Sequence, residues 1–204
     1  VWSNTANYSI DLGKNNISAV IGTEAKKENG EHLQGYGRGL VIEDLDYRYL
    51  DTVTEGKSVS NNASTYAMVS YFGKVNYAFD DKYLISGTVR RDASSRFGKG
   101  NNSAIFPSVS AGWRVSREKF MECTQNWLSD LKLRASWGIN GNDQIDNNAT
   151  YNLYYTNMSN GSYNFNGDGT TVLPGVQKDR SGNNDLKWEE TKQLNFGIDA
   201  AFFD

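Results

Sequence analysis

The sequence predicts an all-β chain, an antiparallel up-and-down transmembrane β-barrel of which these residues form about seven strands of a larger closed structure, with long extracellular loops. Three observations predict it. Apolar and polar residues alternate with period two in repeated runs about ten residues long, the length a tilted strand needs to cross a bilayer core. Aromatic residues gather at the ends of those runs, where interfacial girdles belong. The connections alternate between short and long, as short periplasmic turns and long extracellular loops do. A Greek-key sandwich has no reason for that alternation.

The clearest strands flank a short insert between Phe106 and Gly141. In the first, Ile105, Pro107, Val109, Ala111, Trp113 and Val115 alternate with Phe106, Ser108, Ser110, Gly112 and Arg114. In the second, Leu131, Leu133, Ala135, Trp137 and Ile139 alternate with Lys132, Arg134, Ser136, Gly138 and Asn140. The insert reads as a helix with Ser116 as N-cap and Phe120, Met121, Trp127 and Leu128 packing it down. Near the start, Asn4 to Ile10 and Ile17 to Ala25 read as a strand pair joined by a tight turn at Leu12 to Asn16. From Glu28 to Ala63 the periodicity fails, which predicts a long loop. Thr65 to Phe79 and Tyr83 to Arg90 resume as strands around a turn at Asp80-Asp81, and Asp92 to Ala104 is irregular. The stretch after Asn140 is irregular, with short strands expected at Tyr151 to Thr156 and Ser162 to Asn166, before a last strand through Leu194, Phe196, Ile198, Ala200 and Phe202.

Composition is compatible with this reading. The chain has 204 residues, 38% hydrophobic and 13% aromatic, with a mean hydropathy of −0.64. A membrane barrel reconciles many aromatics with a polar average, because half of each strand and all the loops are polar. No apolar run approaches the ~20 residues of a membrane helix. A net charge of −3 and a pI near 5.3 give no nucleic-acid footprint. The single Cys123 excludes an internal disulfide and a thiolate metal site. No cofactor is expected. The chain opens neither on Met nor on a basic-then-apolar leader.

With long connections placed outside, Tyr77, Phe79, Tyr83, Trp113 and Phe202 gather near the periplasmic rim, and Trp137 and Trp188 towards the outer rim. The polar face carries the candidate lumen lining: Lys74, Asn76, Arg90, Ser108, Arg114, Lys132, Arg134, Gln193 and Asn195. An open sheet in lipid leaves two edges unsatisfied at several kcal/mol per lost hydrogen bond, so residues 1–204 are expected to be part of a barrel domain rather than the whole of it.

Four stretches then point to a family. Tyr83 to Phe97 (YLISGTVRRDASSRF), Phe106 to Val115 (FPSVSAGWRV), Leu131 to Asn142 (LKLRASWGINGN) and Trp188 to Asp199 (WEETKQLNFGID) resemble the barrel of SusC/RagA-type TonB-linked outer-membrane transporters. Ala93 stands where that family commonly has Gly, which bears only on local turn geometry. The resemblance implies a barrel of about 22 strands, plugged from the periplasm and opened by the TonB complex using proton-motive force. It also implies a SusD-like surface lipoprotein that captures oligosaccharide or peptide. The TonB box, plug domain and closing strand of that family are absent from these residues.

Other motifs read as structure first. Arg90-Arg91-Asp92 at a strand end reads as an ion-pair network before a substrate or plug contact. Asn140 to Asp146 and Asn164 to Asp168 look like calcium loops but lack the terminal bidentate Glu, which favours Asn/Gly turns. Glu189 and Glu190 point to opposite faces of a strand, His32 stands alone in a loop, and Ser94 and Ser95 have no base or Gly-x-Ser-x-Gly context, so no catalytic residue is expected. Tyr151, Tyr154, Tyr155 and Tyr163 are the candidate substrate contacts of the last long loop, although loop packing is the commoner role of such residues. A passive porin-like channel and a secreted soluble β-sandwich that binds or cleaves glycans are the competing readings.

Overall fold

The computed structural model describes residues 1–42, 44–124, 126–157, 163–164, 167, 172–173 and 175–203. Strands β1 (Trp2–Leu12), β2 (Asn15–Leu40), β3 (Val53–Phe79), β4 (Tyr83–Ser94), β5 (Ser103–Arg114) and β6 (Leu128–Asn142) follow one another. The shorter β7 (Leu153–Asn157), β8 (Tyr163–Asn164), β9 (Val172–Leu173) and β10 (Gly175–Arg180) precede the long β11 (Glu189–Phe202). The principal sheet has seven strands in the order β1-β2-β3-β4-β5-β6-β11, the up-and-down order expected. Two small ribbons, β10-β7 and β8-β9, belong to the connection before β11. Of the expected strand at Ser162 to Asn166, Ser162, Phe165 and Asn166 lie outside the described residues.

The chain divides into two compact units, one of residues 1–26 with 67–204 and one of residues 27–66. The second unit corrects the long loop expected from Glu28 to Ala63. It is the far part of β2 and the near part of β3, joined through single 3₁₀ turns at Leu45–Tyr47 and Leu50–Thr52. Asp44 caps the first turn by accepting the backbone N–H of Asp46 at 3.1 Å. The periodicity fails there because residues 27–36 and 54–65 are exposed on both faces, and alternation arises only where one face must differ from the other. Backbone hydrogen bonding needs no such pattern. Val53 is tucked in over Gly37, where a β-carbon would collide with it, and Tyr66 is buried at the unit's other end.

In the first unit, register explains how one sequence makes two faces. Tyr77 pairs with Ile85 and Ile85 with Ala111, while Ala111 pairs with Ala135 and Ala135 with Phe196. Rows of this kind put most apolar positions of the five strands on one surface, while Phe72, Leu84 and Phe106 fall on the other. That surface stays uncovered: Val75, Ile85, Val109, Leu133, Phe196 and Ile198 are all exposed, Phe196 to 77%. A contiguous apolar band flanked by aromatic residues is what a barrel presents to lipid. At the short-turn end Phe79 and Tyr83 stack with ring centroids 6.4 Å apart, and Trp127 stacks on Phe202 at 6.2 Å.

The turns match their sequences. Asp80 and Asp81 adopt φ of 53° and 50°, and Lys82 N–H donates to Phe79 C=O at 2.9 Å. Two consecutive left-handed residues are the signature of a type I′ hairpin, which Asp tolerates better than most side chains. The expected helix after β5 is instead two 3₁₀ turns, Val115–Arg117 and Lys119–Thr124. Arg114 and Lys132 are already paired, so the insert leaves and re-enters the sheet at the same level. Ser116 is not an N-cap; it is buried and donates to the Asp130 carboxylate at 2.5 Å. Leu128 is buried, whereas Phe120 and Trp127 are exposed.

Trp188 also departs from expectation. It is 8% exposed and sits in a cluster with Phe97 and Phe106 at the long-loop end rather than in an outward girdle. It precedes β11, so sheet parity does not set its direction. Trp137 does lie on the outward face, in register with Val109 and Leu194.

Val75→Arg or Val109→Arg, which share a row near the middle of the apolar band, is expected to cost the intact barrel about 2–4 kcal/mol of membrane stability, whereas Lys74→Ala on the opposite face costs little. The heat-modifiable gel shift of the assembled protein measures both. Unfolding in water without a defect in membrane assembly would instead favour a soluble sandwich.

Candidate functional site

The opposite surface of the same strands is polar, and register again assembles it. Lys74, Thr88, Ser108, Gly138 and Gln193 form one row. Asn76, Ser86, Ser110, Ser136 and Asn195 form the next, with Arg134 one row beyond and Arg114, Lys132 and Asp199 last. The second row is small and hydrogen-bonded: Asn76 donates to Ser18 at 3.0 Å, and the Ser86 and Ser110 hydroxyls share a bond of 2.7 Å. Its short side chains leave a depression of about 730 Å³, edged by Lys132 and Arg134.

The cations on this face are held differently. Arg134 pairs with Asp199 at 3.4 Å and lies over Gly197, where a β-carbon would displace it. Arg114 stands 3.7 Å from Asp130. Gln193 accepts from Asn140 at 3.3 Å. Among the described residues no acceptor pairs with Lys74 or Lys132.

Arg90 is committed to a structural network, as its sequence context suggested. Its Nε donates to both Asp92 oxygens at 2.7 and 3.0 Å, its Nη2 donates to buried Ser70 at 2.8 Å, and Glu24 lies 3.8 Å away. The guanidinium also covers the Phe72 ring at 5.5 Å. Phe72 in turn lies on Gly22, which has no β-carbon to keep the ring off the backbone.

Two further assemblies bind the rims, and sequence reading missed both. At the short-turn rim, Glu118 accepts from the Tyr83 hydroxyl at 2.6 Å, the Trp113 indole at 3.2 Å and Lys82 at 3.5 Å. The Tyr83 hydrogen bond, then the Trp113 bond, hold the Glu118 carboxyl below its ordinary pKa. At the long-loop rim, Trp188 lies 5.3 Å from both the Phe97 and Phe106 rings and donates to Asn102 C=O at 3.2 Å. Gly141 leaves room for the Phe106 ring. Arg96 donates to Asn147 and to Asp143 C=O, at 2.8 and 2.9 Å, and Ser94 donates to Asp143 at 2.8 Å. These contacts tie the β4–β5 connection to the β6–β11 connection.

In the loop ribbon, Tyr154 and Tyr155 lie opposite Lys178 and Gln177. Tyr155 donates to Gln177 at 3.1 Å, while Tyr151 and Tyr154 are about 60% exposed. Tyr163 is described only as backbone in β8, and its side chain lies outside the described residues. The oxygens of Asn140 to Asp146 serve the loop itself. Asn142 accepts from Gln144 N–H at 3.0 Å. Asp146 is held below the ordinary carboxylate range chiefly by the Asn148 N–H and then by Arg180. Of the second candidate calcium stretch, Phe165, Asn166 and Asp168 lie outside the described residues.

Because its folded pKa is depressed, Glu118 contributes stability that is present above the ordinary value of 4.5 and lost as pH falls through the folded value. Glu118→Gln should therefore remove an acid-dependent step from the rim's unfolding, read by Trp fluorescence of the full barrel between neutral and acid pH. Trp188→Ala should cost about 3–5 kcal/mol locally and expose the β6–β11 connection to limited proteolysis while leaving the barrel assembled.

Comparison with known proteins places these features in a family. The family model described as "TonB dependent receptor-like, beta-barrel" matches residues 2–204. TonB-dependent receptor SusC of Bacteroides thetaiotaomicron is 35% identical over 96% of this chain and 18% of its own length. TonB-dependent receptor P3 of Formosa agariphila is 34% identical over 98% of this chain and 19% of its own. A solved structure of the RagAB peptide transporter superposes with a TM-score of 0.82 at 33% identity, covering 98% of this chain and 21% of the solved chain. The chain thus spans about a fifth of the length of the relatives it matches. The chain belongs to the TonB-dependent receptor-like β-barrel family of the outer membrane.

Proposed function

We propose that the polar face is the lumen wall of a TonB-dependent importer that takes up oligosaccharide or peptide delivered by a SusD-like surface lipoprotein. The observation that carries this is the pairing of a family match along the whole chain with a polar wall of register-aligned small side chains. Rigid, hydrogen-bonded strands suit a fixed wall against which a plug supplied elsewhere in the full-length protein moves. No covalent chemistry is needed, because the work is displacement of the plug by the TonB complex.

In this reading Lys74, Asn76, Ser108, Arg114, Lys132, Arg134, Gln193 and Asn195 face the lumen. Arg90 holds the wall together rather than meeting cargo. Lys74 and Lys132, lacking an acceptor among the described residues, are the groups that anionic parts of plug or cargo would meet. Tyr151, Tyr154 and Tyr155 offer ring faces to cargo or lipoprotein above the barrel.

Uptake of labelled oligosaccharides and oligopeptides by cells carrying the full-length protein tests this. Uptake of one class should stop when a protonophore collapses the proton-motive force; persistence would favour a passive channel. Tyr154→Ala should weaken apparent affinity about two- to tenfold, the equivalent of about 0.5–1.5 kcal/mol for one aromatic contact.

A further inference from the structure

The lipid-facing surface carries an arginine. Arg91 follows Arg90 on β4, so period two turns it to the outward face, in register with Tyr71 on β3 and Ile105 on β5. It is exposed, and among the described residues no acceptor pairs with it. A cation on this face is costly at mid-bilayer and tolerated near the interfaces. Its height decides which applies. Arg91 lies roughly eight residues above Tyr83 of the short-turn girdle, or about 26 Å along a strand rising about 3.3 Å per residue. With strands tilted about 40°, that is about 20 Å along the membrane normal, near the outer edge of an apolar band about 25 Å tall. Arg91 therefore sits just inside the outer edge of the apolar band, from which its long side chain reaches the outer-leaflet headgroups.

Its neighbours there are arranged for a ligand. Arg91, Tyr71, Thr23 and Asn4 border one outward groove of about 560 Å³, with Ala6, Ile21, Val89 and Ile105 among its other walls and Gly73 in its floor. Gly73 leaves the groove open where any side chain would stand up from the sheet. Hydrogen-bonding groups thus lie along its upper end, and an apolar trough runs below them towards the bilayer centre. An anionic headgroup with acyl chains matches both ends.

We propose that this groove is a binding site for a phosphorylated glycolipid of the outer leaflet, its phosphate held by Arg91 with Tyr71, Thr23 and Asn4 beside it, and one acyl chain lying over Gly73. A guanidinium binds phosphate through paired charge-assisted hydrogen bonds, strengthened where water is scarce. The proposal rests on the barrel's outer-membrane placement and not on the import reading, so it can fail while import stands.

The test uses the full-length protein in nanodiscs of phosphatidylcholine with a minor fraction of diphosphorylated lipid A, and the lipid retained is counted by native mass spectrometry. Wild type should retain the phosphorylated lipid, and Arg91→Gln should lower that retention about tenfold with barrel assembly unchanged by gel shift. Lys192→Gln, which removes the outward cation in register with Ile139 on the far side of the sheet, should leave it intact. A second variant, Gly73→Leu, should fill the groove and lower retention with Arg91 in place. Equal retention of lipid A stripped of its phosphates, an equal loss in Lys192→Gln, or no loss in Arg91→Gln would overturn the site in favour of diffuse annular lipid.

Discussion

The constraint on which this structure depends is that lipid offers no hydrogen bonds. A backbone crossing the bilayer has to satisfy every N–H and C=O within the protein, and the antiparallel ladder does so strand by strand. Once the ladder exists, side chains must alternate between lipid and interior, and the rest follows. The apolar face selects Val, Ile, Leu and Phe, the polar face is free to carry Ser, Asn, Lys and Arg, and the turns collect at two rims with different requirements.

Those requirements appear in how each rim is tied. The short-turn rim is electrostatic and hydrogen-bonded: Lys14 meets Asp80 at 3.1 Å, Arg117 meets Asp81 at 2.9 Å, and Glu118 gathers Tyr83, Trp113 and Lys82. Exposed pairs of this kind contribute little individually, and what they supply is geometry for the hairpin turns. The long-loop rim has more chain to hold and uses an aromatic cluster, with Phe97, Phe106 and Trp188 drawn from three connections or strand ends. Between the rims the polar wall needs no core. It consists of rows of short side chains stiffened by the sheet, with Phe72 and Arg134 laid over glycines instead of projecting inward.

The same reasoning separates Arg90 from Arg91. Adjacent in sequence and alike in chemistry, they have opposite environments because a strand turns successive side chains to opposite faces. Arg90 is absorbed by Asp92 and Ser70 on the inner face. Arg91 meets the headgroup region, where a cation is compatible with the membrane and complementary to phosphate.

By itself, the sequence determined the seven alternating strands, which side chains share a face, the short and long rims, and the family, because alternation is a local property that the ladder enforces residue by residue. The positions of Lys74, Asn76, Ser108 and Lys132 on one surface were legible for that reason. Tertiary structure alone decided the rest. The strands beyond Lys27 and before Tyr66 were invisible because an exposed hairpin has no face to pattern. The 3₁₀ turns after Arg114 follow from a register that returns the chain to its own level. Trp188 is far in sequence from Phe97 and Phe106, and nothing local signals that the β4–β5 and β6–β11 connections meet over β5. The outward groove over Gly73 likewise exists only where β1 to β5 lie side by side, since no single strand contains a groove.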